Sequence, residues 1–359
     1  MIHIITNMNQ DFPLGLTYDD VLLVPQYSEI KSRNDIDLSS QITPHVKLRL
    51  PLISINMSDV TGVEMATTLG KLGGLGFLPR FVSAEDQADM AVQVKKAGVY
   101  AAAAVGCREG YLERAEKLVN AGVDILTLDV AHAHMLQALE ATTELKQRFG
   151  KTVDIISGVV GTEDGTNDLY KHGADSVRIG VGPGTICITR IVTGSGVPQI
   201  TALINAAKAA RRWKKTILCD GGTNNSGDIV KGLAAGASGV VIGSQFAGTD
   251  EAPGKKIERE GKFFKVYNAS TSLAEKKNHL NIEGEKLGEN YIKQIEGVES
   301  VVKYAGPLSA VLESISANVR SGISYSGAKN IPEFWKKARF MRITPLGRSE
   351  NGAHNVIVK

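Results

Sequence analysis

The chain has 359 residues and a mass of 38.4 kDa, 43% of them hydrophobic, which suffices for one large α/β barrel or two medium domains. A formal net charge of only +3 argues against nucleic acid as a partner, and no apolar run reaches the length of a membrane span. Three cysteines (Cys107, Cys187 and Cys219) make no disulfide scaffold and suit a reducing cytosol, and the first residues lack the basic-then-apolar order of a signal peptide, so a cytoplasmic location is expected.

Along the chain, short β-branched or apolar runs recur at 50–55, 75–78, 100–105, 125–129, 153–156, 176–179, 217–219 and 239–242. Helical patterns lie between them, among others at 109–121, 135–149, 165–171, 199–212 and 226–235. This alternation predicts a (β/α)8 TIM barrel rather than an open doubly wound sheet. An open dinucleotide-binding sheet would place GxGxxG at the start of its first unit. Here Gly180-Val181-Gly182-Pro183-Gly184 comes late and is followed by a thiol. The Lys/Glu/Asn-rich stretch at about 250–305 is too polar for core and too long for an ordinary connection, so it reads as a mobile flap. A helical pattern resumes at 307–320, and a tail occupies about 340–359. The expectation is one catalytic barrel domain spanning 1–359.

Residues just after barrel strands share one rim, where barrel enzymes carry their sites. Cys187 falls there, at the end of a glycine-rich turn whose free N–H groups can hold an anion beside the thiol. Thr189 lies two residues on, placed to orient a water or leaving group, and Arg190 would neutralise phosphate or tie the loop down. Asp220 in Asp220-Gly221-Gly222 is placed to accept two ribose hydroxyls, and with Gly243-Ser244 these turns make a phosphate cradle. Asp129 ends its strand in LDVAHAH; it reads as a cofactor hydrogen-bond acceptor, with His132 and His134 at the entrance, ahead of a zinc site. The carbonyls of Gly182, Gly184 and Cys187 offer an oxygen-lined concavity for a monovalent cation such as K+.

At these residues the chain resembles the family of IMP dehydrogenases and GMP reductases. The likeness runs from Thr17-Tyr18-Asp19-Asp20-Val21-Leu22-Leu23 through the Cys187 loop and Gly194-Ser195-Gly196-Val197-Pro198-Gln199. It continues through Asp220-Gly221-Gly222 and Gly248-Thr249-Asp250-Glu251-Ala252-Pro253-Gly254, covering nearly the whole chain. The resemblance implies a homotetrameric barrel enzyme of purine and GMP biosynthesis that uses NAD or NADP on a purine nucleoside monophosphate. Cys187 would attack carbon 2 of the base. Asp220 would hold the ribose, while Thr185, Gly222, Gly243, Ser244 and Tyr267 would hold the phosphate. Met57 would contact the base, Asp129 and His132 the cofactor, and Glu296 and Thr189 would stand beside the reacting centre.

The chain also departs from that pattern. Leu78-Pro79-Arg80-Phe81 runs straight on, leaving no room for the regulatory CBS modules usual in the dehydrogenase. Asn268-Ala269-Ser270-Thr271-Ser272 replaces a glycine-methionine-glycine or glycine-methionine-serine turn, and Met57 is followed by Ser58-Asp59 instead of aspartate-threonine. Val159 replaces an asparagine, and Asn290-Tyr291 stands where the dehydrogenase flap carries arginine-tyrosine. The wording of 189–192 and 197–199 favours IMP dehydrogenase. The missing modules and missing arginine favour GMP reductase, with a relative acting on another purine nucleotide as a third reading. A pure binding module would not need the thiol.

Overall fold

The computed structural model describes residues 12–283 and 291–352. Asn290 and the end of the tail, both named above, lie outside the described residues. Eight strands form a closed, all-parallel barrel: β1 (Leu52–Ser54), β2 (Leu75–Leu78), β3 (Ala102–Val105), β4 (Ile125–Asp129), β5 (Asp154–Val160), β6 (Ser176–Ile179), β7 (Thr216–Asp220) and β8 (Gly239–Ile242). Closure comes where β8 pairs with β1, Val241 opposite Ile53. The helices on its outside include α1 (Val63–Leu72), α2 (Ala84–Lys96), α3 (Tyr111–Asn120), α4 (Leu136–Phe149), α5 (Glu163–Lys171), α6 (Gln199–Trp213) and α7 (Ser226–Ala234). This is the (β/α)8 TIM barrel expected from the alternation.

Because a barrel strand is covered on both faces, it reads as a continuous apolar run, and its period of two divides the core into two layers. Ile53, Phe77, Ile125, Ile156, Leu218 and Val241 point inward and pack as one cluster. Leu52, Leu78, Leu126 and Ile155 belong to the layer shared with the helices. The inner cluster is completed by Ile42, Val46 and Leu48 from a hairpin whose strands are Ser40–Gln41 and Lys47–Leu48. That hairpin sits at the N-terminal ends of the strands, where His45 N–H donates to Asp154 Oδ2 over 2.9 Å and Thr216 Oγ1 donates to the Ile42 carbonyl. It plugs one end of the barrel and leaves the C-terminal rim as the open end.

The polar stretch after β8 has a structure of its own. β9 (Lys256–Arg259), β10 (Lys262–Asn268) and β11 (Glu299–Lys303) form a three-stranded antiparallel sheet, with helix α8 (Leu273–Glu283) between β10 and β11. Alternation along β10 buries Lys265 and Tyr267 despite the charged composition, and Lys265 Nζ donates to the Ala252 carbonyl over 2.5 Å. Helix α9 (Leu308–Ser324) then returns to pack on α7, and Val21–Leu23 pairs with Phe340–Arg342.

One glycine is forced by close approach. A Cβ at Gly180, just past β6, would lie 1.9 Å from the carbonyl oxygen of Asp220 at the end of β7. Gly180→Ala is therefore expected to cost about 1–3 kcal/mol, since backbone rather than a side chain must give way. An unchanged denaturant midpoint would show that the ends of β6 and β7 part freely.

Candidate active site

The loop after β6 carries Cys187 to the open rim and is pinned there by backbone bonds. Cys187 N–H donates to the Gly184 carbonyl over 3.1 Å, closing the turn. Ile188 N–H donates to the Glu296 carbonyl over 2.9 Å and Val298 N–H to the Ile186 carbonyl over 3.1 Å, so the loop is paired with the segment leading into β11. Arg190 donates to the Val197 carbonyl over 2.6 Å and packs on Gly182 and Gly196. Of its two anticipated roles, the structure shows the loop tie. The Cys187 thiol donates to Thr189 Oγ1 over 3.1 Å, and that hydroxyl donates to Glu296 Oε2 over 2.7 Å. Thiol, hydroxyl and carboxylate thus form one hydrogen-bonded chain from sulfur to oxygen.

The other two thiols have different surroundings. Burial pushes Cys219 up to about 12, against hydrogen bonds from Tyr18 and Gln199. Burial also raises Cys107, with Arg80 and Arg108 opposing. Cys187 alone of the three is half-buried, and it lines two cavities.

The smaller cavity, of about 140 Å³, joins Cys187 to Met57, Thr185, Gly222, Gly243, Ser244 and Tyr267. These residues come from the ends of different elements, and the fold brings them together as the sequence predicts. Tyr267 is buried, and burial chiefly pushes its phenol up to about 12, with a hydrogen bond from Thr185 opposing. A Cβ at Gly243 would lie 2.4 Å from the Tyr267 hydroxyl, so a side chain in the turn after β8 would have to displace that hydroxyl. Ser270 and Thr271, from the altered turn after β10, line both cavities. Ala269 and Thr271 pack against Gly297, where a Cβ would meet them at 2.2 and 2.8 Å.

On the other side of Cys187 lies a cavity of about 1050 Å³, lined by Asp129, His132, Val159, Thr189 and Glu296 among others. Asp220 borders it too, at the end of β7. Sequence reading missed the residue that organises this wall. Arg178, on β6, is buried and donates from Nε to Asp220 Oδ2 over 2.6 Å and from Nη1 to Asp129 Oδ1 over 3.3 Å. Arg80, just after β2, adds a bond to Asp129 Oδ2 over 3.1 Å. Burial works to raise the Asp129 carboxyl, but Arg178 and Arg80, with Asn56, outweigh it and hold that group below its usual range. For Asp220 burial prevails over Arg178 and raises it. The signal was present as a lone arginine between Val177 and Ile179 in a short barrel strand. The zinc alternative fails on geometry: His134 Nε2 lies 3.0 Å from Asp168 Oδ2 on α5 while Asp129 faces the arginines. His132 and Asp129 do share the large cavity.

The Gly184 carbonyl expected to hold a cation already accepts the Cys187 N–H, which leaves one lone pair for an ion.

Residues 15–354 match the family model described as the IMP dehydrogenase / GMP reductase domain. The chain belongs to that family. Among its relatives, inosine-5'-monophosphate dehydrogenase of Cryptosporidium parvum is 37% identical over 96% of this chain and 96% of that protein. The corresponding enzyme of Nitrosopumilus maritimus is 31% identical over 97% of this chain and all of its own length. GMP reductase of Leishmania donovani is 29% identical over 96% of this chain and 97% of its own. A crystal structure of GMP reductase from Trypanosoma brucei in complex with guanosine 5'-monophosphate superposes with a TM-score of 0.91 at 28% identity, covering 97% of this chain and 99% of that one. Membership in the IMP dehydrogenase / GMP reductase family makes this chain an NAD(P)-dependent oxidoreductase of the barrel type.

One acidic contact sets a pH dependence for the segment over the site. Glu275 on α8 is pushed up to about 7 from an ordinary 4.5, first by burial and then by Asp59 and Glu299. Its folded value is above its unfolded one, so its contribution to stability is fully present below about pH 4.5 and is lost as pH rises through 7. Glu275→Gln removes that loss. The thermal midpoint of the variant is expected to gain on wild type from pH 5 to pH 8, and parallel curves would rule out the strained carboxyl.

Proposed function

We propose that the protein oxidises IMP to XMP with NAD through a covalent adduct between Cys187 and carbon 2 of the base. The observation that carries this reading is the Cys187–Thr189–Glu296 line at the junction of the two cavities. In the smaller cavity, Thr185, Gly222, Gly243, Ser244 and Tyr267 would hold the phosphate, with Met57 against the base. Asp220, with Oδ2 engaged by Arg178, would use its other carboxylate oxygen for a ribose hydroxyl.

The large cavity has room for a dinucleotide, and the ionised Asp129, fixed by two guanidinium groups, fits a ribose hydroxyl there, with His132 at the entrance. When bound, the nicotinamide supplies the acceptor for the hydride on carbon 2. Sulfur adds to carbon 2 as the thiol proton passes toward Thr189 and Glu296. Loss of hydride leaves a thioimidate on Cys187. Water then adds to carbon 2 and gives up a proton to solvent, and as the carbon–sulfur bond breaks the proton held by the Thr189–Glu296 pair returns to the sulfur, releasing XMP. A monovalent cation on the carbonyls of Gly182, Gly184 and Cys187 would stiffen the same loop. The reading carries with it a cytoplasmic homotetramer acting in GMP biosynthesis, for which the exposed Tyr27 and Ile191 would offer apolar surface.

A second reading is GMP reductase, NADPH-dependent reductive deamination of GMP to IMP. Its specific support is that Glu296, one hydroxyl away from the thiol, is equally placed to deliver a proton to departing ammonia. The likeness to the GMP-bound reductase agrees with it.

Two assays on the purified protein separate the readings: IMP with NAD, and GMP with NADPH, each followed by absorbance of the reduced cofactor. Formation with IMP supports the dehydrogenase, and consumption with GMP replaces it by the reductase. Cys187→Ala is expected to abolish turnover while nucleotide binding persists, and surviving turnover would sink the covalent route. Asp220→Asn should weaken monophosphate affinity by about tenfold, the order of one charge-assisted hydrogen bond. Unchanged affinity would remove Asp220 from the ribose.

A further inference from the structure

The turn after β1 carries Met57 to the smaller cavity and, two residues on, a carboxylate that the proposed chemistry does not use. That turn is tight. Val60 N–H and Thr61 N–H both donate to the Met57 carbonyl over 2.9 Å, so Asp59 keeps a set position relative to Met57. Asp59 then meets the three-stranded sheet at two points. Its carbonyl accepts the Gly254 N–H over 3.1 Å, just ahead of β9, and Oδ2 accepts the Asn268 N–H over 2.9 Å, at the end of β10.

The sheet explains why an acceptor is needed at that spot. Beyond the paired residues of β9 and β10, Val266 N–H donates to the Lys255 carbonyl over 2.9 Å. With a strand's period of two, the Asn268 N–H points to the same side as that of Val266. There β9 has no residue to receive it, because the chain before Lys255 turns away to Asp59 through Gly254. A main-chain donor left unpaired is costly, and the Asp59 carboxylate takes it in a charge-assisted bond. Burial raises that carboxyl above its usual range, with the Asn268 N–H opposing. On the other side, Asn268 Oδ1 accepts the Ser300 N–H of β11 over 3.2 Å.

Tyr267 precedes Asn268 and Ala269, Ser270 and Thr271 follow it, and all four line the smaller cavity together with Met57. Asp59 itself lines neither cavity. We infer that Asp59 is a positioning residue for the monophosphate, its bond to Asn268 setting the spacing between Met57 and the wall formed by Tyr267 and residues 269–271. The inference rests on the proposed reading of the smaller cavity as the monophosphate site. A space of about 140 Å³ tolerates little movement of its walls, so loss of that one bond loosens the fit to base and phosphate together.

The test uses the full chain as wild type, Asp59→Ala and Asp59→Asn, titrated separately with IMP and NADH by calorimetry. Cooperative thermal unfolding checks that each variant is folded. Asp59→Ala is expected to weaken IMP binding about tenfold, the order of one charge-assisted hydrogen bond, with a smaller loss for NADH. Asp59→Asn keeps an acceptor without the charge and is expected to recover part of the IMP affinity. A merely structural role would lower the thermal midpoint and leave the folded protein's IMP affinity at the wild-type value. That result, or equal losses for IMP and NADH, overturns the positioning role and leaves the enzyme's reading intact. Should Asp59→Ala fail to fold, wild-type IMP affinity in Asp59→Asn overturns it. A wild-type protein that binds no IMP overturns the reading of the smaller cavity as well.

Discussion

Arg178 is a full positive charge inside the barrel, and the rim depends on how that charge is balanced. Removing an ion from water costs several kcal/mol, recovered only where opposite charges and hydrogen bonds surround it. Here Asp220 at the end of its neighbour β7, and Asp129 at the end of β4, one strand beyond β5, do so together. The guanidinium fixes both carboxylates at set positions relative to the barrel axis. Both carboxylates border the large cavity, so one buried cation holds two parts of its wall in register.

A second constraint is the pairing of the Cys187 loop with the chain that leads into β11. The thiol and the carboxylate it reaches through Thr189 are far apart in sequence, and no local pattern connects them. What connects them is a short ladder of backbone bonds, in which Ile188 and Val298 supply the N–H groups. Gly297 belongs to that ladder because Ala269 and Thr271 occupy the space a side chain would need. The altered turn after β10 is therefore built into the floor under Glu296 as well as into the cavity wall.

Much of the barrel was legible because a strand covered on both faces must be apolar, and Ala102–Val105 or Gly239–Ile242 have no other use for such a run. Cys187, Asp220 and the Gly243 turn were legible because strand ends share a rim. Helices α1 and α2 were harder: α2 buries only Gln87, Ala91 and Val94, a stripe too small and too polar to stand out. The sheet of β9, β10 and β11 was hidden by its lysines, since composition does not report that Lys265 finds carbonyls to bond. Arg178 was passed over because an isolated arginine in a strand acquires meaning only when its partners, at the ends of β4 and β7, are brought around it.

The backbone ladder between the thiol loop and the β11 segment has a further consequence. Lifting that segment away would break the Ile188 and Val298 bonds and withdraw the Glu296 carboxylate from Thr189 in the same motion. The position of that segment and the hydrogen bonds of the thiol are thus tied together.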